Sequence, residues 1–132
     1  MNIVTNWEKY APYFKPSEFV CRCGKCTAVY IAQEFLDKLH AARLLSKTKF
    51  VIASGGRCLA HNAKVNGAAK SDHLSTPTDI CTGVDIAVTT TAQRYEIETV
   101  CRSVGLNRFG HGAGFIHVGL AHRNPANVTW IY

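Results

Sequence analysis

The sequence predicts an α+β fold, read as one domain over residues 1–132 with a short, mostly antiparallel sheet and two main helices. Two patterns predict it. Apolar residues recur every three to four positions at Ile31, Phe35, Leu39 and Ala42, as one face of a helix requires, and Tyr95, Val100 and Val104 lie on one side of a second helix. Around them lie brief apolar runs of strand length, punctuated by turn-forming residues. A chain of 132 residues with 47% hydrophobic content is of one-domain size and can bury a single core.

Each element follows in order. The first thirty residues read as irregular, apart from a helical turn opened by Pro16-Ser17-Glu18, where Ser17 can cap and Glu18 suits the first turn. The Ile31 to Ala42 stripe predicts a helix over about 30–46. Phe50-Val51-Ile52 predicts a strand ending in the turn Ser54-Gly55-Gly56. A short helix over about 59–65 and a loop rich in glycine, alanine and serine come next. Gly83 to Val88 predicts a second strand, and the threonines at 89–91 lead into a helix over about 92–104 that Gly105 stops. Asn107–Gly110, Phe115–Leu120 and Val128–Ile131 predict three more strands, with glycines between the first two allowing a tight hairpin. No internal repeat or low-complexity segment interrupts the chain.

Fifteen Lys and Arg against nine Asp and Glu give a net charge of +6, spread along the chain rather than blocked. A diffuse positive field favours polyanionic partners such as nucleic acid, an acidic cell wall or anionic lipid. Basic and aromatic residues do not interleave as they do in single-strand binders, so nucleic acid is not the expected partner. No run of eighteen apolar residues occurs, so no membrane span is expected. The start, MNIVTNWEKYAPYF, lacks the basic and apolar pattern of a secretory signal, and cytoplasmic synthesis is expected.

Six cysteines are many for such a chain. Cys21, Cys23 and Cys26 form C-x-C-x-x-C, while Cys58, Cys81 and Cys101 are scattered. The cluster reads as part of a structural zinc site completed by Cys58 or another cysteine, as disulfide donors outside the cell, or as reduced thiols packed like small hydrophobes. The sequence leaves these three open.

His73 lies in the polar loop Ser71-Asp72-His73-Leu74, Asp85 sits between Val84 and Ile86, and His117 sits between Ile116 and Val118. A carboxylate and an imidazole embedded in apolar strands need a reason, because burying an unpartnered charge costs several kcal/mol. A metal ion is one partner that serves both. Two His and one Asp leave a fourth tetrahedral position open, as catalytic rather than structural zinc sites do. The plainer alternatives are an Asp85 turned outward and a hydrogen-bonded core histidine at 117.

Several segments carry a resemblance: Ser54-Gly55-Gly56-Arg57, His61-Asn62, Val65 to Leu74 (VNGAAKSDHL), Val84-Asp85-Ile86 and Phe115-Ile116-His117-Val118. Together they resemble the D-Ala-D-Ala carboxypeptidase and L-alanyl-D-glutamate endopeptidase family of zinc peptidases. That family includes many phage endolysins, and the hedgehog signalling domain shares its fold. The likeness runs from Phe14-Lys15-Pro16-Ser17-Glu18-Phe19 to the final Val128-Thr129-Trp130-Ile131-Tyr132. It implies Zn²⁺ held on the sheet by His73, Asp85 and His117. It also implies an Arg57 that binds substrate or a transition-state oxygen, and a Ser71 that steadies the ligand loop or the bound peptide. The implied substrate is a peptidoglycan stem peptide, cut at the cell wall by a monomeric protein released from or carried by a phage.

Two departures from the family pattern stand out. Asp85 follows His73 by twelve positions where the family has seven, which makes Asp79 a rival ligand, though Pro77 marks its surroundings as a turn. The family's catalytic carboxylate, three residues before the last histidine or two after it, is replaced by Gly114 and Gly119, and no acid follows Glu98. A general base must then be His111, His122, or an earlier carboxylate such as Asp72 or Asp79. His111 is the expected one, since it opens the hairpin that returns at His117 and its imidazole titrates in the useful range.

Overall fold

The computed structural model describes residues 1–27 and 29–132. In chain order the elements are α1 (Gln33–Leu45), β1 (Ile52–Ser54), α2 (Leu59–Lys64), β2 (Gly83–Ala87), α3 (Thr91–Ser103), β3 (Arg108–Gly112), β4 (Phe115–Gly119) and β5 (Val128–Ile131), preceded by 3₁₀ turns at Trp7–Tyr10 and Pro16–Glu18. The five strands form one sheet in the order β1-β2-β4-β3-β5. All neighbours are antiparallel except β3 and β5, which run parallel. The α+β class and the two long helices are as the sequence predicts.

Side-chain alternation divides this sheet into two unlike faces. Val84 and Ile86 of β2 pair with Val118 and Ile116 of β4, and these pair onward with Phe109 and His111 of β3. That face is the core. Its apolar residues join Phe35, Leu36, Leu39 and Ala42 of α1 and Ile97 and Cys101 of α3 in one buried cluster. The α3 helix starts where Thr90 Oγ1 accepts the Gln93 N–H at 3.1 Å, and its chain reverses at Gly105, whose φ of +96° suits a residue without a side chain. The intervening positions, Asp85, His117 and Gly110, point to the opposite face. There the chain carries its polar residues.

Three boundaries differ from the sequence reading, each because tertiary pairing overrides local propensity. The α1 helix begins at Gln33 rather than near 30, because the backbone of 30–32 is taken by isolated bridges to the N-terminal segment and to Cys81. Cys81 donates to Tyr30 O at 2.7 Å, Ala32 to Cys81 O at 2.9 Å, and Val4 to Ile31 O at 2.8 Å. The first strand is displaced to Ile52–Ser54, where Ile52 pairs with Ile86 and Ser54 with Asp85 across a bulge. The strand expected at Asn107–Gly110 starts at Arg108 and continues to Gly112, paired throughout with β4.

Candidate metal centre

The sheet itself brings two of the three expected ligands together. Asp85 and His117 are direct cross-strand partners on the polar face of β2 and β4. His73 arrives from the loop between α2 and β2, which is tied down at several points. The His73 N–H donates to Ser71 Oγ at 3.1 Å, and the Arg57 N–H donates to His73 O at 2.6 Å. Arg123 reaches over from the segment after β4 and donates to Ser71 O and Ile80 O, both at 2.7 Å. Ser71 therefore sits under the loop that presents His73.

At the centre, three atoms converge. His73 Nε2 lies 3.1 Å from Asp85 Oδ1, His117 Nδ1 lies 3.0 Å from the same oxygen, and the two nitrogens are 3.1 Å apart. The outward nitrogens decide what the inward ones carry. His73 Nδ1 is 2.7 Å from Gly55 O, which can only accept, so Nδ1 bears the proton and Nε2 a lone pair. Burial also pushes the His73 pKa down despite its contact with Asp85, keeping the ring neutral. His117 Nε2 donates to Asp72 Oδ2 at 3.0 Å, leaving the lone pair of the neutral ring on Nδ1. Three lone pairs then face one point. A proton on His117 relieves part of this repulsion: burial opposes its charge, but the hydrogen bonds of Asp72 and Asp85 outweigh that and raise its pKa. A divalent cation accepts all three lone pairs at once, and the separations approach the ~3.3 Å edge of a tetrahedral zinc–nitrogen site. The donor set fits such an ion.

Asp72 is the residue whose part the sequence does not disclose. Besides His117, its Oδ2 accepts from Arg108 Nε at 2.8 Å, and its Oδ1 accepts from Asn124 Nδ2 at 2.8 Å. Burial alone would raise its pKa, but the bonds from His117 and Arg108 outweigh that and hold it at about 2. Asp85 is likewise held below the ordinary carboxylate range, the histidine contacts outweighing its burial. Two glycines make the room for Asp72. A Cβ at Gly83 would stand 2.8 Å from the Asp72 Cβ, and one at Gly119 would stand 2.9 Å from Asp72 Oδ2 and 3.2 Å from His117 Nε2. A side chain at position 119 would thus run into the Asp72 carboxylate, so a glycine there leaves Asp72 its place beside His117.

The triad opens into a cleft of about 450 Å³ walled by Arg57, Ser71, Arg108, Phe115, Trp130 and Tyr132. Arg57 Nη2 is 3.9 Å from Asp85 Oδ2, so its guanidinium borders the site. The Trp130 ring lies 5.3 Å from that of His117. His111 is not brought to this cleft. Its neighbour Gly110 pairs with His117, so His111 itself points to the core face, where Nε2 meets Glu98 at 3.1 Å and Nδ1 meets Arg94 at 3.3 Å. Strand parity thus places His111, the expected base, on the face of the sheet opposite His73, Asp85 and His117. Asp79 is held in a turn, its N–H on Thr76 Oγ1 at 2.9 Å, and is not part of the His73, Asp85 and His117 group. His122 is exposed on the loop beyond β4.

The cysteines separate into two classes. Cys81 and Cys101 are wholly buried in the core, and burial pushes the Cys81 thiol up to about 12. Cys21, Cys23, Cys26 and Cys58 converge in a second group.

No curated protein matches the chain. The Peptidase M15 family model matches residues 12–119, a span that contains His73, Asp85, His117, Arg57 and Asp72. Over that span, the great majority of its length, the chain belongs to the Peptidase M15 family.

Proposed function

We propose that this peptidase is zinc-dependent and hydrolyses the stem peptides of peptidoglycan at the cell wall. One observation carries the reading: three lone pairs, from His73, Asp85 and His117, face a single point at the base of an open cleft. Zinc bound there would polarise the scissile carbonyl and bring the pKa of a coordinated water toward neutrality. The chain's own residues do the rest. Asp72 fixes the orientation and tautomer of His117, and the Gly55 carbonyl does the same for His73. Arg57, always charged, offers a fork of donors to a peptide carboxylate or a developing oxyanion. Phe115, Trp130 and Tyr132 give the cleft an apolar wall against which a short peptide can lie. The net charge of +6 suits a substrate embedded in an anionic wall.

A second reading rests on the carboxylates. Those lining the cleft are Asp72 and Asp85, and both are engaged by the histidines and held well below neutrality. General-base catalysis typically contributes about 10²–10⁴-fold, so without a carboxylate poised near neutral pH the domain would act chiefly as a zinc-stabilised wall-binding module. One assay separates the readings: release of free amines from purified peptidoglycan, with and without chelator. Chelator-sensitive release, lost in His73→Ala and His117→Ala together with the zinc of that site, supports the peptidase. Stoichiometric zinc with no release from any wall tested would leave only the binding module.

A further inference from the structure

We propose that Cys21, Cys23, Cys26 and Cys58 hold a second, structural zinc ion that clamps the segment before α1 to the chain beside Arg57. The four sulfurs lie within 4.8 Å of one another. Cys21 Sγ is 3.8 Å from Cys58 Sγ, and Cys23 Sγ is 3.5 Å from Cys26 Sγ. A tetrahedral zinc–thiolate site with bonds of about 2.3 Å has sulfur–sulfur edges of ~3.8 Å. Two disulfides would need only two close pairs, whereas here all four sulfurs share one small sphere.

The surroundings suit thiolates. The Lys25 N–H donates to Cys23 Sγ at 3.3 Å, the Cys58 N–H to Cys21 Sγ at 3.3 Å, and the His61 N–H to Cys58 Sγ at 3.4 Å. Such backbone donors orient ligand sulfurs and spread their charge. The first of them depends on a sharp reversal at Gly24, whose φ is +73°. Four thiolates around Zn²⁺ leave two negative charges, and Arg22, Lys25 and Lys64 line the shallow cleft beside Cys23. Four sulfur ligands close the coordination shell, which is the structural rather than the catalytic pattern.

The consequence lies in what the clamp joins. Cys58 follows Arg57 directly and precedes α2, whose Asn62 Oδ1 is 3.5 Å from Arg57 Nη1. Cys21, Cys23 and Cys26 lie 32 or more residues earlier in the chain. With so short an α2 and so little regular structure before α1, an ion at the junction fixes the backbone from which Arg57 reaches the cleft. The ion needs deprotonated thiols, so each cysteine gives up its proton on binding.

The test counts metal in the double variant His73→Ala/His117→Ala, where the first site is removed, so the outcome does not depend on that site's function. Purified under reducing conditions in zinc, wild type should carry about two zinc ions per chain and this variant about one. Cobalt substituted into the variant should show the near-ultraviolet sulfur-to-metal charge-transfer band that nitrogen and oxygen ligands cannot give. A thiol-blocking mercurial should release the remaining zinc. Cys23→Ser/Cys26→Ser should lose that ion, and the cobalt and mercurial readings stand even where this variant does not fold. The proposal is overturned by a folded double variant that lacks bound metal, by iron in place of zinc, or by mass mapping of two disulfides among these four cysteines.

Discussion

At the scale of single residues, Asp72 carries the most testable physics. It is the hub of a chain from His117 through a buried carboxylate to Arg108 and Asn124. Outer-shell partners of metal-bound histidines typically contribute 10–100-fold in metal affinity, and Asp72→Asn keeps the shape while removing the charge. This variant should fold and bind zinc about 10–100-fold more weakly, measured by competition with a chromophoric chelator. Asp72→Ala should do more, because it strands the buried Arg108 guanidinium, and a stranded buried charge typically costs about 3–5 kcal/mol. Denaturant titration of the metal-free protein would register that loss. An Asp72→Asn protein with unchanged zinc affinity would show that His117 needs no such partner. Asp85 and His117 are conspicuous in the sequence because each lies between two aliphatic side chains, and the family resemblance adds His73 as the third candidate ligand. Sequence alone could not show what Asp72 does, since an aspartate in a polar loop looks like any other until Gly83 and Gly119 are folded beneath it.

At the scale of elements, the strand period of two decides which face of the sheet each candidate residue occupies. Asp85 and His117 were legible as a pair because each sits at an odd position in an otherwise apolar strand, and antiparallel pairing sets them side by side. The position of His111 turned on the register of the β3–β4 hairpin, and a slip of one residue there moves a side chain to the other face. Glycines at 110, 112 and 114 leave the pattern silent about that register. In the folded chain His111 joins β3 to α3, with Glu98 on one nitrogen and Arg94 on the other. Two such side-chain hydrogen bonds, each worth about 0.5–1.5 kcal/mol, set the expected effect of His111→Ala. Stability should fall by about 1–3 kcal/mol in chemical denaturation, while zinc content and peptide hydrolysis per folded molecule stay at the wild-type level. A folded His111→Ala protein that binds zinc but releases no amines would restore this histidine to the mechanism. The start of α1 was less legible, because the Tyr30–Ala32 backbone is drawn into pairing by residues 4 and 81, far away in sequence.

At the scale of the whole molecule, metal and charge act differently, and salt can separate them. A ligand held at a hundred times its dissociation constant stabilises the native state by about 2.7 kcal/mol. For a domain of this size that is on the order of 10 °C in Tm. Chelation should lower the melting temperature by such an amount, and the His73→Ala/His117→Ala protein should respond less, to the extent that one site is gone. The net charge of +6 acts at longer range. Because the Debye length is about 10 Å at 0.1 M salt and ~3 Å at 1 M, attraction of a basic surface to an anionic wall is screened over that range. The buried cluster of His73, Asp85 and His117, whose members are all within contact distance, is screened far less. Raising salt from 0.1 M to 0.5 M should therefore weaken sedimentation of the protein with purified wall several-fold, while turnover of a short soluble stem peptide changes little. Removing the anionic polymers from the wall should abolish the salt dependence. Equal salt sensitivity for the soluble peptide and the intact wall would place the effect in the cleft, at Arg57 and Arg108, and deny the positive surface a part in finding the substrate.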